Sequence, residues 1–160
     1  FGGLGLFTVG GIPKASYYAL WLLRQLGNTF AGKGDGWFAT KQGEKYIIMM
    51  YNYRHFSHLY ALGERFDMTF TDRYTPFDPV QNLDVHLALT DIPNGHYLIR
   101  ETILNRKSGS AFDQWVNMGA LEPDTQQEYK TLESLSVCCR PAMASSSSSG
   151  SLRPAPVSSS

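Results

Sequence analysis

The hydrophobic period of this chain changes once, and that change restricts its fold more than any other feature. Ala15, Tyr18, Ala19, Leu22, Leu23 and Leu26 recur at helical spacing, giving one apolar stripe along a helix predicted over Pro13–Leu26. Pro13 at the first turn and Gly27 just past the end are the punctuation such a helix uses. One stripe cannot hold a helix together in water, so this helix is expected to pack on something large. From Trp37 onward the period is two. A helix followed by a series of strands is not a βαβ alternation, and it predicts an antiparallel sheet.

Asn28–Gly36 is Gly-rich and reads as a linker, 28–36. Trp37–Thr40 and Lys45–Tyr53 flank Lys41-Gln42-Gly43-Glu44, a hairpin turn in which Gly43 can take a left-handed conformation. Tyr46–Tyr51 is expected as a strand buried on both sides. Arg54–Gly63 reads as a polar–aromatic connection, Phe66–Thr71 as the next strand, and Tyr74–Gln81, with Pro76 and Pro79, as a loop. Leu83, Val85, Leu87 and Leu89 alternate with polar residues, predicting a half-buried strand. Asp91-Ile92-Pro93-Asn94-Gly95 then turns the chain, because Pro presets φ and Asn-Gly accepts positive φ. His96–Leu104 is expected to close an antiparallel hairpin on that strand. Short helices are predicted at Ala111–Met118 and Pro123–Leu135.

Composition matters most at the far end. All 21 aromatic residues precede position 130, and nine of the 21 residues from Arg140 to Ser160 are Ser. Such a stretch buries too little apolar surface to offset chain entropy, so 138–160 is expected to be a disordered tail. The formal charge is zero, which argues against nucleic acid or an anionic membrane as partner. No apolar run approaches the roughly 18 residues of a membrane span. Cys138 and Cys139 are adjacent and make no disulfide framework, so a cytoplasmic setting is favoured, with secretion the alternative. The start at Phe1-Gly2-Gly3, with neither Met nor a basic leader, is that expected of a piece of a longer polypeptide.

Chemistry is sparse. Gly2-Gly3-Leu4-Gly5-Leu6-Phe7-Thr8 before a helix suggests an anion loop, but it lacks the third Gly of G-x-G-x-x-G and the Lys-Ser/Thr of a P-loop. The plainer reading is a turn that lets backbone approach closely. His55-Phe56-Ser57-His58 could set two imidazoles on a metal, yet no further ligand stands near in sequence, and none is assigned. Asp67, Asp72, Asp78, Asp84, Asp91, Glu101 and Asp113 occupy no spacing that forces a carboxylate pair, and no cofactor is implied. The vicinal cysteines carry no activating motif. Trp37, Tyr51, Tyr53, Phe56 and Tyr60 could form a sugar-stacking face, although core or interface packing is the commoner use of such rings.

Several stretches resemble glycoside hydrolase family 39, the β-xylosidases. Phe1 to Gly27 is similar to the family pattern GGFGLxTxxGIPKPxYxAFxLLxxLG. Tyr51-Asn52-Tyr53-Arg54-His55-Phe56, Phe70-Thr71-Asp72-Arg73-Tyr74 and Leu89-Thr90-Asp91-Ile92-Pro93-Asn94-Gly95 resemble its C-terminal β-domain. Ser110-Ala111-Phe112-Asp113-Gln114-Trp115-Val116-Asn117-Met118-Gly119 is the most distinctive match.

The resemblance implies a mainly β fold class. An antiparallel β-sandwich over 37–137 would follow residues 1–27, the last βα unit of a (β/α)8 TIM barrel, with short C-terminal helices and then the tail. It implies a retaining xylan 1,4-β-xylosidase acting on xylo-oligosaccharides, whose two catalytic Glu belong to barrel strands upstream of Phe1. No catalytic residue is therefore assigned in this chain, and no activity is expected of it alone. Phe1, Gly2 and Gly3 are its candidates for approaching the sugar. The family's sandwich continues beyond Val137, where this chain turns Ser-rich, so an open sheet edge and oligomer contacts are expected. A stand-alone carbohydrate-binding or structural β-sandwich is the alternative.

Overall fold

The computed structural model describes residues 4–64, 68–79, 82–86, 88–90, 92–93 and 95–138, together with the backbone of 142–147. In chain order its elements are α1 (Ala15–Arg24), β1 (Thr29–Gly34), β2 (Trp37–Gln42), β3 (Lys45–Met50), α2 (His58–Ala61), β4 (His96–Glu101), α3 (Ala111–Asn117), α4 (Gln126–Leu135) and β5 (Ala142–Ser147). They divide between two compact units. One is built around Phe1–Gln25 and Gly95–Ser148, the other around Leu26–Asn94.

The first unit is helical at its centre. α3 starts where Ser110 caps it: the Ser110 hydroxyl oxygen accepts from the Asp113 amide, and the hydroxyl donates to Asp113 Oδ2 at 2.5 Å. α4 starts with a capping box. Thr125 Oγ1 accepts from the Glu128 amide, and the Glu128 carboxylate accepts from the Thr125 amide. These caps place the helices so that Ala111 and Trp115 meet Leu132 and Ile12 in a small core, flanked by Phe112, Val116 and Ala120. Trp115 is 2% exposed and donates its indole N–H to the Leu121 carbonyl, which leaves no polar atom of the ring unsatisfied.

The predicted helix at Pro13–Leu26 appears as α1, shortened to Ala15–Arg24. Its stripe is not enclosed: no residue of α1 is buried, Ala15 and Leu23 are exposed, and Tyr18, Ala19 and Leu22 are half-buried.

The second unit carries a three-stranded antiparallel sheet in the order β1-β2-β3. The predicted hairpin is present, with Gln42 paired to Lys45 and Gly43 at φ +59° in the turn. β3, expected to be buried on both sides, is half-buried along its middle. Residues 29–34, read as linker, are the edge strand β1, with a bulge between Phe30 and Gly32. The glycines that suggested a linker serve packing: a Cβ on Gly34 would stand 2.3 Å from the Trp37 indole nitrogen. The expected connection 54–63 holds one helical turn, α2, capped by Ser57.

Two strand expectations fail. Residues 68–71 form no strand, and 65–67 lie outside the described residues. Nor do 82–86 or 88–90, so the hairpin expected between 83–90 and 96–104 is not formed. β4 pairs instead with β5, within the stretch expected to be a disordered tail. Alternation reports which side chains share a face, but a strand exists only where another backbone accepts its hydrogen bonds. Ser and Ala supply that backbone as well as Val does.

Among the described residues the fold comprises four helices, a three-stranded antiparallel sheet and a two-stranded ribbon, with helical and strand residues about equal in number. The short C-terminal helices are α3 and α4.

Candidate functional site

The loop before α1 closes on itself. The Thr8 amide donates to the Ile12 carbonyl at 2.9 Å, Gly11 to the Thr8 carbonyl, and Lys14 to the Leu6 carbonyl. The Ile12 amide donates to Thr8 Oγ1 at 3.0 Å. These four amides are committed internally, as in a structural turn. Phe1, Gly2 and Gly3, the residues expected to approach a sugar, lie outside the described residues.

This turn and α4 border an open groove of about 400 Å³, lined by Gly10, Ile12, Gln126, Tyr129, Lys130 and Glu133. Gly10 is required there, since a Cβ on it would come within 2.5 Å of the Tyr129 ring. Gln126, Tyr129, Lys130 and Glu133 follow helical spacing, so their shared face was readable from the sequence. Their common border with Gly10 was not, because it depends on where the loop folds back. The groove presents one lysine, one glutamate and a phenol edge, which suffices for polar contact but supplies no carboxylate pair.

The other singled-out residues are scattered. His55 packs edge-on against Tyr53 at 4.8 Å, and His58 opens α2; both are exposed. Among the described residues no three His, Cys, Asp or Glu side chains stand together as metal ligands. Asp113 is buried, and its role is structural: its carboxylate accepts from Arg106 Nε at 2.8 Å and from Ser110. Glu128 is held below the usual carboxylate range by the backbone amides of Asp124 and Thr125 and by the Thr125 hydroxyl. Asp72 accepts from the Tyr74 amide and the Thr75 hydroxyl. Asp67 and Asp91 lie outside the described residues. Cys138 is buried and its thiol donates to the Ile103 carbonyl at 3.3 Å, which makes it a packing residue; Cys139 is outside the described residues.

Of the five candidate stacking rings, Phe56 and Tyr60 stand together. Trp37 lies over β1 beside Gly32 and Gly34, and Tyr51 sits 6.3 Å from Phe38. Phe56 is stacked against both Tyr60 and Phe77, at 5.0 and 4.5 Å. Tyr53, 72% exposed, is the most open of the five.

No protein-family model matches the chain, and no curated protein matches it in sequence. Solved structures do match. A crystal structure of a monomeric β-xylosidase from Caulobacter crescentus CB15 superposes with a TM-score of 0.72 at 22% identity, over 95% of this chain and 31% of that one. A family GH39 enzyme from Xanthomonas axonopodis pv. citri superposes with a TM-score of 0.66 at 16% identity, over 96% of this chain and 29% of that one. The chain thus has the fold of a part of such enzymes and spans about a third of their length.

Proposed function

We propose that this chain is the C-terminal portion of a retaining glycoside hydrolase, a xylan 1,4-β-xylosidase that releases xylose from xylo-oligosaccharides. The observation that carries the reading is a superposition covering 95% of this chain on 31% of a β-xylosidase, in agreement with the motifs at Phe1–Gly27 and Ser110–Gly119. In this reading residues 1–27 are the last βα unit of a (β/α)8 barrel. The partly open stripe of α1 is then the face that the rest of the barrel covers, and 37–137 belong to a sandwich that follows it. Hydrolysis with retention needs two carboxyl groups about 5 Å apart, one as nucleophile and one as acid/base. In this reading those two groups belong to residues upstream of Phe1.

Two assays test this. The purified chain is expected to release no chromophore from an aryl β-xyloside; turnover by it alone would sink the assignment of the catalytic residues. The polypeptide extended upstream is expected to release xylose from xylo-oligosaccharides, with β-xylose as the first product seen by NMR. Release of α-xylose, or no action on xylosides, would reject the retaining xylosidase. Tyr53, the most open of the candidate rings, favours a sugar-binding module as the second reading, and saturable calorimetric binding of xylo-oligosaccharides to the isolated chain would select it.

A further inference from the structure

The structure assigns α4 a role at the loop before α1: Tyr129 is a positioning residue that fixes this loop by packing on Gly10. In the xylosidase reading, on which this role rests, residues 1–27 are a βα unit, so the loop from Phe7 to Pro13 carries the chain from a barrel strand into α1. The βα loops form the end of a barrel at which its active site is built. Phe1, Gly2 and Gly3, the candidates for approaching the sugar, lie just upstream of this loop in sequence.

The loop is held by residues remote from it in sequence. Gly95–Ser148 belongs to the same compact unit as Phe1–Gln25, although the whole sheet unit intervenes along the chain. Two contacts tie the segments together. Ile12, 3% exposed, shares one core with Ala111 and Trp115 of α3 and Leu132 of α4. Nearly one helical turn before Leu132, Tyr129 sets its ring so close to the Gly10 backbone that a Cβ there would stand 2.5 Å from Cε1. The loop itself is closed, with Phe7 and Pro13 bridged and Thr8 bonded to Ile12 through both its amide and its hydroxyl. Those local bonds fix its shape. Ile12 and the Tyr129 ring fix its direction, and a displacement of about 1 Å in an active-site loop is enough to cost catalysis. Ile12 is part of the core, whereas Tyr129 is 38% exposed, so its ring can be removed with the core left in place.

Hydrogen exchange read by NMR on this chain tests the contact. Tyr129→Ala is expected to speed exchange of the Thr8 and Ile12 amides about tenfold, with the α3 amides unchanged, and Tyr129→Phe to restore the wild-type rates. Gly10→Ala, which drives the ring away, is expected to loosen the same amides and to add nothing to Tyr129→Ala. In the polypeptide extended upstream, Tyr129→Ala is expected to lower kcat/KM on an aryl β-xyloside by about ten- to a hundredfold, and Tyr129→Phe to recover it. Unchanged exchange in Tyr129→Ala, faster exchange throughout α3, no recovery in Tyr129→Phe, or additive losses in the double variant would each overturn the role of Tyr129. Full kcat/KM in an active enzyme carrying Tyr129→Ala would overturn that role and leave the xylosidase reading standing. An extended wild type inactive on β-xylosides would reject the reading and, with it, the role.

Discussion

The two units differ in how far they close themselves. In the unit around α3 and α4, Ile12, Ala111, Trp115, Leu132 and Cys138 are all buried, and α3 and α4 each start at a side-chain cap. In the unit around the three-stranded sheet, Ala39 is the one buried hydrophobic among the described residues, while Phe30, Met50, Tyr51, Tyr53 and Phe56 are exposed. The contrast teaches that apolar content does not by itself make a core. Ile12, Ala111 and Leu132 come from segments far apart in sequence and converge on the Trp115 indole. The sheet residues are near neighbours along the chain, and they spread their side chains over two faces of a thin layer.

The largest effect expected from this contrast is at its centre. Trp115→Ala should destabilise the helical unit by about 3–5 kcal/mol, whereas Phe30→Ala, at a 64% exposed ring, should change stability by under about 0.5 kcal/mol. Urea unfolding followed by circular dichroism measures both, and equal losses would erase the distinction. The sheet unit is most sensitive where backbone meets ring. Gly34→Ala should cost about 1–3 kcal/mol because its Cβ has no room beside Trp37.

Asp113→Ala comes next, at about 1–3 kcal/mol, since it strips a buried acceptor from Ser110 and Arg106. Its partner Arg106 is 65% exposed, and Arg106→Ala should cost less than about 1 kcal/mol. A loss from Arg106→Ala as large as that from Asp113→Ala would mean that the ion pair, rather than the cap, organises the start of α3.

Modest effects belong to the start of α4. Thr125→Ala should lose about 1 kcal/mol with the cap. The folded-state pKa of Glu128 is depressed, so its contribution is present above the ordinary value of 4.5 and is lost as pH falls toward the folded value. The stability difference between wild type and Glu128→Gln should therefore shrink on acidification. A difference unchanged between pH 7 and pH 3, measured by urea unfolding, would remove the carboxylate from the cap.

Much of this was legible before any coordinates. The stripe from Ala15 to Leu26 located α1, Gly43 located the hairpin, and Ser110 and the pair Thr125 and Glu128 stand three residues apart as capping requires. What escaped was everything that depends on a partner backbone. Leu83–Thr90 alternates as cleanly as β4 does, yet its described residues carry no ladder, while Ala142–Ser147 has no pattern and does. The groove beside Tyr129 was equally hidden, because Gly10 and Tyr129 are remote in sequence.

The sequence by itself determined the local elements whose hydrogen bonds close within a few residues: helices, caps and a two-residue turn. Their donors and acceptors are neighbours along the chain, so residue type and spacing decide them. Tertiary structure decided which alternating segments became strands, that Trp115 would be the centre of a core, and that β4 would pair with β5. Those outcomes rest on contacts between distant segments, where backbone availability counts for as much as side-chain character.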